Sequence, residues 1–143
     1  MALSVVTRVG VTSVSAIARS KKARAAVALR RSVIHSSVTG LCLTKLDVLD
    51  GLPSIRICTG YRVQGSVQTQ PPLFVEGYGD IEPVYEEMPG WKESTIGVTD
   101  YDKLPATARS YLQRLQDVVG VPIDIISTGA DREETIVLRH PFG

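Results

Sequence analysis

Four residues at the end of an apolar run, Thr44-Lys45-Leu46-Asp47, have the types and spacing to read a purine base. Guanine presents two adjacent donors, N1–H and the 2-amino group. A single carboxylate accepts both in a fork, and adenine offers no equivalent pair. The stem of a lysine can lie across the flat base while its ammonium reaches nearby oxygens. T-K-x-D is the pattern by which GTP-binding proteins read guanine, with Lys45 and Asp47 as the readers and Leu46 between them. A motif of four residues with one free recurs by chance. Its bland alternative is a capping aspartate beside an exposed lysine.

A second turn of small residues, Ser127-Thr128-Gly129, follows another apolar run. Backbone N–H groups in such a turn can point at a carbonyl such as guanine O6. If both runs are parallel strands, their carboxyl ends would hold one base from two sides, where α/β sheets bind ligands.

Other chemistry finds little support. There is no G-x-x-x-x-G-K-[ST] loop for a triphosphate and no G-x-G-x-x-G. His35 and His140 stand apart without metal-ligand spacing. Glu86-Glu87 reads as a solvated strand end. Cys42 and Cys58 form neither a ligand pattern nor a disulfide framework and read as buried thiols, which a reducing compartment suits. No catalytic residue and no metal ligand is assigned.

The elements that must carry these turns read as follows. Residues 22–37 are alanine-rich and unbroken, which predicts a helix ended by Gly40. Residues 41–48 predict a buried strand running into a turn, and 54–63 alternate as a half-buried strand does. Residues 64–80 carry Gly65, Pro71, Pro72, Gly77 and Gly79 and predict loop. Residues 81–87 predict a short edge strand, because Pro83 cannot donate to a ladder. Residues 88–103 are rich in turn formers.

Over 104–119, Leu104, Ala108, Tyr111, Leu112, Leu115, Val118 and Val119 share one helical face. Pro105 suits the first turn, and Gly120 and Pro122 stop the helix. Strands follow at 122–127 and 134–139. The order predicts an α/β fold.

Charge divides the chain. Residues 1–45 hold eight basic residues and no acid, while 46–143 hold eight basic residues and 15 acids, a net of −7. An acidic body argues against general nucleic-acid binding, which needs basic surface to displace counterions. No apolar run reaches the ~18 residues that a membrane-spanning helix needs. Residues 1–24, rich in Ser, Ala and Arg, fit an organelle transit peptide, an arbitrary stretch joined by a misjoined reading frame, or a basic arm. The domain reading is therefore 1–24 as an unmatched basic segment and 25–143 as the body.

Longer runs decide what the body resembles. Leu43 to Leu52 (LTKLDVLDGL), Met88 to Thr95 (MPGWKEST) and Val121 to Arg132 (VPIDIISTGADR) look like the C-terminal third of adenylosuccinate synthetase. The flanks agree: VALRRS from Val27, YRV from Tyr61, IEPVYEEMPGW from Ile81, LPATARSYLQRLQ from Leu104 and ETIVLRHPF from Glu134. The resemblance covers about residues 27–143.

It implies the C-terminal part of a P-loop-NTPase-related fold with an incomplete sheet. It also implies a GTP- and Mg2+-dependent ligase joining IMP to L-aspartate, on the route to AMP. The family's guanine contacts land on Lys45, Leu46 and Asp47 and on Ser127, Thr128 and Gly129. The family enzyme is a homodimer of the cytoplasm or plastid. Its phosphate loop, catalytic aspartate and histidine, magnesium ligands and most IMP contacts lie upstream of the matching part. Residues 14–26 (VSAIARSKKARAA) stand where the family has a Thr-Thr-Gly-Arg-x-Arg-Arg-x-Gly-Trp stretch. The register differs, so Arg19 and Arg24 inherit no role.

The expectation is a chain without ligase activity on its own. Its sheet would be cut, leaving an apolar edge open to aggregation. GTP affinity would suffer without triphosphate and magnesium contacts. Three readings stay open for the polypeptide alone: a piece of the enzyme, a non-catalytic guanine-nucleotide-binding or dimerisation module, and a poorly folding orphan.

Overall fold

The computed structural model of the chain describes residues 2–7, 10–14, 33, 38–69 and 81–140. In chain order the elements are β1 (Ala2–Thr7), β2 (Gly10–Val14), β3 (Val38–Thr44), β4 (Ser54–Val63), β5 (Ser66–Gln68), β6 (Glu82–Pro89), α1 (Ala106–Val119), β7 (Ile123–Ser127) and β8 (Thr135–Val137). Short 3-10 turns occupy Leu46–Leu49 and Tyr101–Lys103. The strands form a five-stranded sheet, β2-β1-β3-β7-β8, and a three-stranded sheet, β5-β4-β6. The fold is mixed α/β with small sheets. Of the expected helix over 22–37 only Val33, which is helical, is described, and of the expected loop over 64–80 the part over 70–80 falls outside the described residues.

The main core joins β3, β7, the first half of β4 and α1. All seven residues of the anticipated helical stripe, Leu104 included, are buried. Pro105 sits one place earlier than expected, at the N-cap rather than in the first turn, and its carbonyl accepts from the Arg109 amide at 3.0 Å. Gly120 closes the helix in the left-handed region, φ 86°, where a residue without Cβ is least strained.

The half-buried alternation of β4 holds to Ile57 and then slips. A bulge between Cys58 and Gly60 shifts the register against β6. It turns Cys58 and Tyr61 into a second, smaller cluster with Val63, Ile81 and Tyr85. The strand containing Pro83 lies at the edge of its sheet, as predicted.

Two expectations are corrected. The strand after Gly40 begins earlier and ends at Thr44. Lys45 adopts φ 59°, ψ 56°, which breaks the extended run and starts the 3-10 turn. The edge of β3 is also not left bare. Residues 2–7 pair antiparallel with it, from Ala2↔Thr44 to Thr7↔Val38, and residues 10–14 pair with residues 3–7. Val5, Val6, Thr7, Val11, Thr12 and Val14 are β-branched, which suits strands.

Candidate functional site

β3 and β7 are adjacent and parallel, with Leu41↔Ile123, Cys42↔Ile125 and Leu43↔Ile126 in register. Their carboxyl ends, Thr44 and Ser127, therefore leave the sheet on the same side. The turns that follow are the two singled out in the sequence, Lys45-Leu46-Asp47 and Ser127-Thr128-Gly129.

In the first turn, Leu46 is fully buried in the core and anchors the loop. Lys45, exposed, stands on its outer side. Its left-handed backbone is uncommon for a residue with a Cβ and costs on the order of 1–2 kcal/mol. The Asp47 carboxylate is half-buried, and its Oδ1 is shielded from solvent with no hydrogen-bond partner among the described residues. A solvent-shielded acceptor left unpaired is costly, so such an atom asks for a donor.

In the second turn, the Ser127 hydroxyl donates to the Gly129 carbonyl at 2.9 Å. Thr128 is wholly buried. Its hydroxyl lies 2.9 Å from the Val98 carbonyl and 3.2 Å from the Glu134 carbonyl, and its amide donates to Glu134 at 2.9 Å. Thr128 thus ties the turn to the Val98 and Glu134 backbone. A Cβ on Gly129 would overlap the Glu134 carboxylate, which would have to swing away from the Asp131 amide to make room. Glu134 also accepts from the Asp131 amide at 3.1 Å.

Sequence reading did not single out Glu134 or Asp50. Asp50 lies three residues beyond Asp47. Its carboxylate accepts from Trp91 Nε1 at 2.6 Å, the Thr95 amide at 2.7 Å, the Thr95 hydroxyl at 2.8 Å and the Ser94 hydroxyl at 3.4 Å. These donors lie 41 to 45 residues away along the chain, so no local pattern exposes the cluster. MPGWKEST carried the resemblance, but its part in holding this region was not legible.

At the other end of β7, Asp124 is buried and takes a two-pronged contact from Arg139, Nε to Oδ1 at 2.8 Å and Nη2 to Oδ2 at 3.2 Å. That pair is far along the strand from the Ser-Thr-Gly turn and locks the sheet. Burial, with the Asp124 carboxylate nearby, pushes the Cys42 thiol above its ordinary range. Cys58 is buried, while Cys42 is half-buried. Glu86 is not a solvated end, since it pairs with Arg114; Glu87 lies 3.7 Å from Arg56. Among the described residues no group of three or more His, Cys, Asp or Glu side chains could hold a metal ion, and no helix is long and apolar enough to cross a membrane.

Fold and turns together define an α/β unit with its loops of interest at the carboxyl end of a parallel strand pair. The sequence model of the adenylosuccinate synthetase family matches residues 23–136. An adenylosuccinate synthetase of Pseudoalteromonas atlantica is 61% identical over 118 residues, which is 82% of this chain and 27% of that relative. Adenylosuccinate synthetase 1, chloroplastic, of Ricinus communis is 58% identical over 118 residues, again 82% of this chain and 27% of the relative. The fully ligated adenylosuccinate synthetase structure from Plasmodium falciparum superposes with a TM-score of 0.68 at 30% identity. It covers 78% of this chain and 28% of that one. The chain belongs to the adenylosuccinate synthetase family, and it spans about a quarter of the length of the relatives it matches.

Proposed function

We propose that this chain carries the guanine-recognition part of an adenylosuccinate synthetase, the GTP-dependent ligase that joins IMP to L-aspartate. One observation carries the reading. The parallel β3–β7 pair brings Lys45-Leu46-Asp47 and Ser127-Thr128-Gly129 to one side of the sheet, with an unpartnered Asp47 oxygen between core and solvent. Asp47 would accept from N1–H and the 2-amino group of guanine. Lys45 would cover the base, and the Ser127–Gly129 turn would meet its remaining edge.

Mg2+, IMP and L-aspartate belong to the ligation by the complete enzyme. The described residues provide no fitting magnesium site. Residues 25–143 are the family unit in this proposal and 1–24 a separate segment, of which residues 2–7 and 10–14 add to the sheet edge. A homodimer in the cytoplasm or plastid is the setting, and the chloroplastic name of the Ricinus relative supports the second location.

Equilibrium dialysis of the 143-residue chain against GDP, IDP and ADP tests the base reading. IDP keeps N1–H and lacks the 2-amino group. The expected order is GDP tighter than IDP, and IDP tighter than ADP. Asp47→Ala should erase that order, and equal retention of all three by the unmodified chain would sink the proposal. A non-catalytic guanine-nucleotide module is the second reading, favoured by the lack of a P-loop motif in these 143 residues. It keeps the same binding order and predicts no adenylosuccinate from IMP, L-aspartate and GTP.

A further inference from the structure

The two base-reading turns belong to different parts of the chain, and a continuous set of hydrogen bonds connects them. The Asp50 amide donates to the Asp47 carbonyl at 3.1 Å, which ties Asp50 to the first turn. The Asp50 carboxylate grips Trp91 and Thr95 through three contacts of 2.6 to 2.8 Å. The Val98 amide then donates to the Thr95 carbonyl at 3.2 Å. The Val98 carbonyl receives the Thr128 hydroxyl at 2.9 Å, in the second turn. Trp91 and Thr95 are buried, 2% and 0% exposed, so water does not compete for these bonds. Trp91 is braced against Tyr111 of α1, ring centroids 6.0 Å apart.

We propose that the segment Trp91–Val98 is a strut that sets the separation of the two guanine-reading turns, with Asp50 the positioning residue at one end and the Thr128 hydroxyl the attachment at the other. The inference rests on the guanine reading given above. A base held from two sides is sensitive to the distance between the sides, and a small misplacement weakens contacts made by residues that are themselves untouched. Charge-assisted bonds to a carboxylate are the strongest available for such a role. Asp50→Asn offers an amide where Thr95 presents its own N–H, so one acceptor becomes a donor. Thr128→Val keeps the side-chain shape and removes the hydroxyl.

The test uses the full chain, well below its unfolding midpoint, with GDP and ADP dissociation constants measured by calorimetry. Both variants should bind GDP roughly tenfold more weakly and lose most of the preference for GDP over ADP. Thr128→Ser, which retains the hydroxyl, should keep the preference. The chain has a single tryptophan, so its indole N–H resonance reports on the Asp50 end alone. In the unliganded chain, Thr128→Val should move that resonance and Thr128→Ser should leave it near its place. A merely structural role would lower thermal stability with the GDP:ADP ratio intact. That ratio staying fixed in both variants, with the unmodified chain preferring GDP, would overturn the strut and leave the guanine reading standing. No GDP preference in the unmodified chain would remove both. Should Asp50→Asn fail to fold, the Val and Ser variants of Thr128 decide the matter.

Discussion

Lys45 occupies a backbone conformation that glycine would adopt more cheaply, φ 59° and ψ 56°. Strained non-glycine positions cluster at functional sites, which is consistent with the role proposed for Lys45. Lys45→Gly should therefore raise stability by about 1 kcal/mol in urea unfolding, through relief of the left-handed penalty, and weaken GDP binding. A fall in stability would show that the lysine side chain is a structural contact and not a strained reader. Gly129→Ala should act the other way, because its methyl group would overlap the Glu134 carboxylate. It should cost both stability and GDP affinity, and Glu134→Ala in the same chain should restore part of the stability. The motif residues stood out because the chemistry proposed for them, reading a guanine edge, dictates their types. Asp50 did not, because its partners lie 41 to 45 residues away and only the fold brings them close. Glu134 did not, although its partners Asp131 and Gly129 are near in sequence, because its contacts depend on how the turn folds back.

Elements were legible in proportion to how fully one face is buried. The helix showed its stripe because six of its own residues are buried on one side. Leu112→Ala should lower the unfolding free energy by about 2–5 kcal/mol, whereas Gln113→Ala, exposed on the opposite face, should stay within about 0.5 kcal/mol. β4 was legible to its bulge and opaque beyond, since a one-residue slip moves side chains to the other face.

The helix is tied to β6 by Arg114, whose Nε and Nη2 lie 2.7 to 3.1 Å from the Glu86 carboxylate. The hydrogen-bonded guanidinium holds the Glu86 carboxyl below the usual range, against a smaller opposing effect of burial. A depressed native pKa means stability that is fully present above the unfolded value and lost as pH falls through the native one. Both side chains are more than a third exposed, so solvent screening keeps the contribution within about 1 kcal/mol. Glu86→Gln should flatten the acid limb of a pH–stability curve by that modest amount and leave the neutral-pH GDP preference unchanged.

For the whole molecule, the sheet is small and open as expected, but its edge lies at β2 and not at β3, which the β1–β2 pair covers. The composition of residues 1–24, without acid and rich in Ser and Arg, points to targeting, a misjoined stretch or a basic arm, and does not expose the short β-branched runs as strands. Those runs could not be seen as strands without the β3 edge on which they lie. Removing residues 1–14 should bare that edge, and light scattering should then detect self-association at concentrations where the full chain stays dispersed.

The covering of β3 also moves the outermost strand of that side to Gly10–Val14, which has no charged residue and no proline. Natural edges are commonly guarded by such residues. Thr12→Lys is accordingly expected to improve dispersion with no change in nucleotide preference. Residues 1–22 lie outside the family match, while both turns proposed to read the base lie inside it. Colloidal behaviour and ligand chemistry are thus written in separate stretches of the polypeptide, and each is free to vary while the other is held constant.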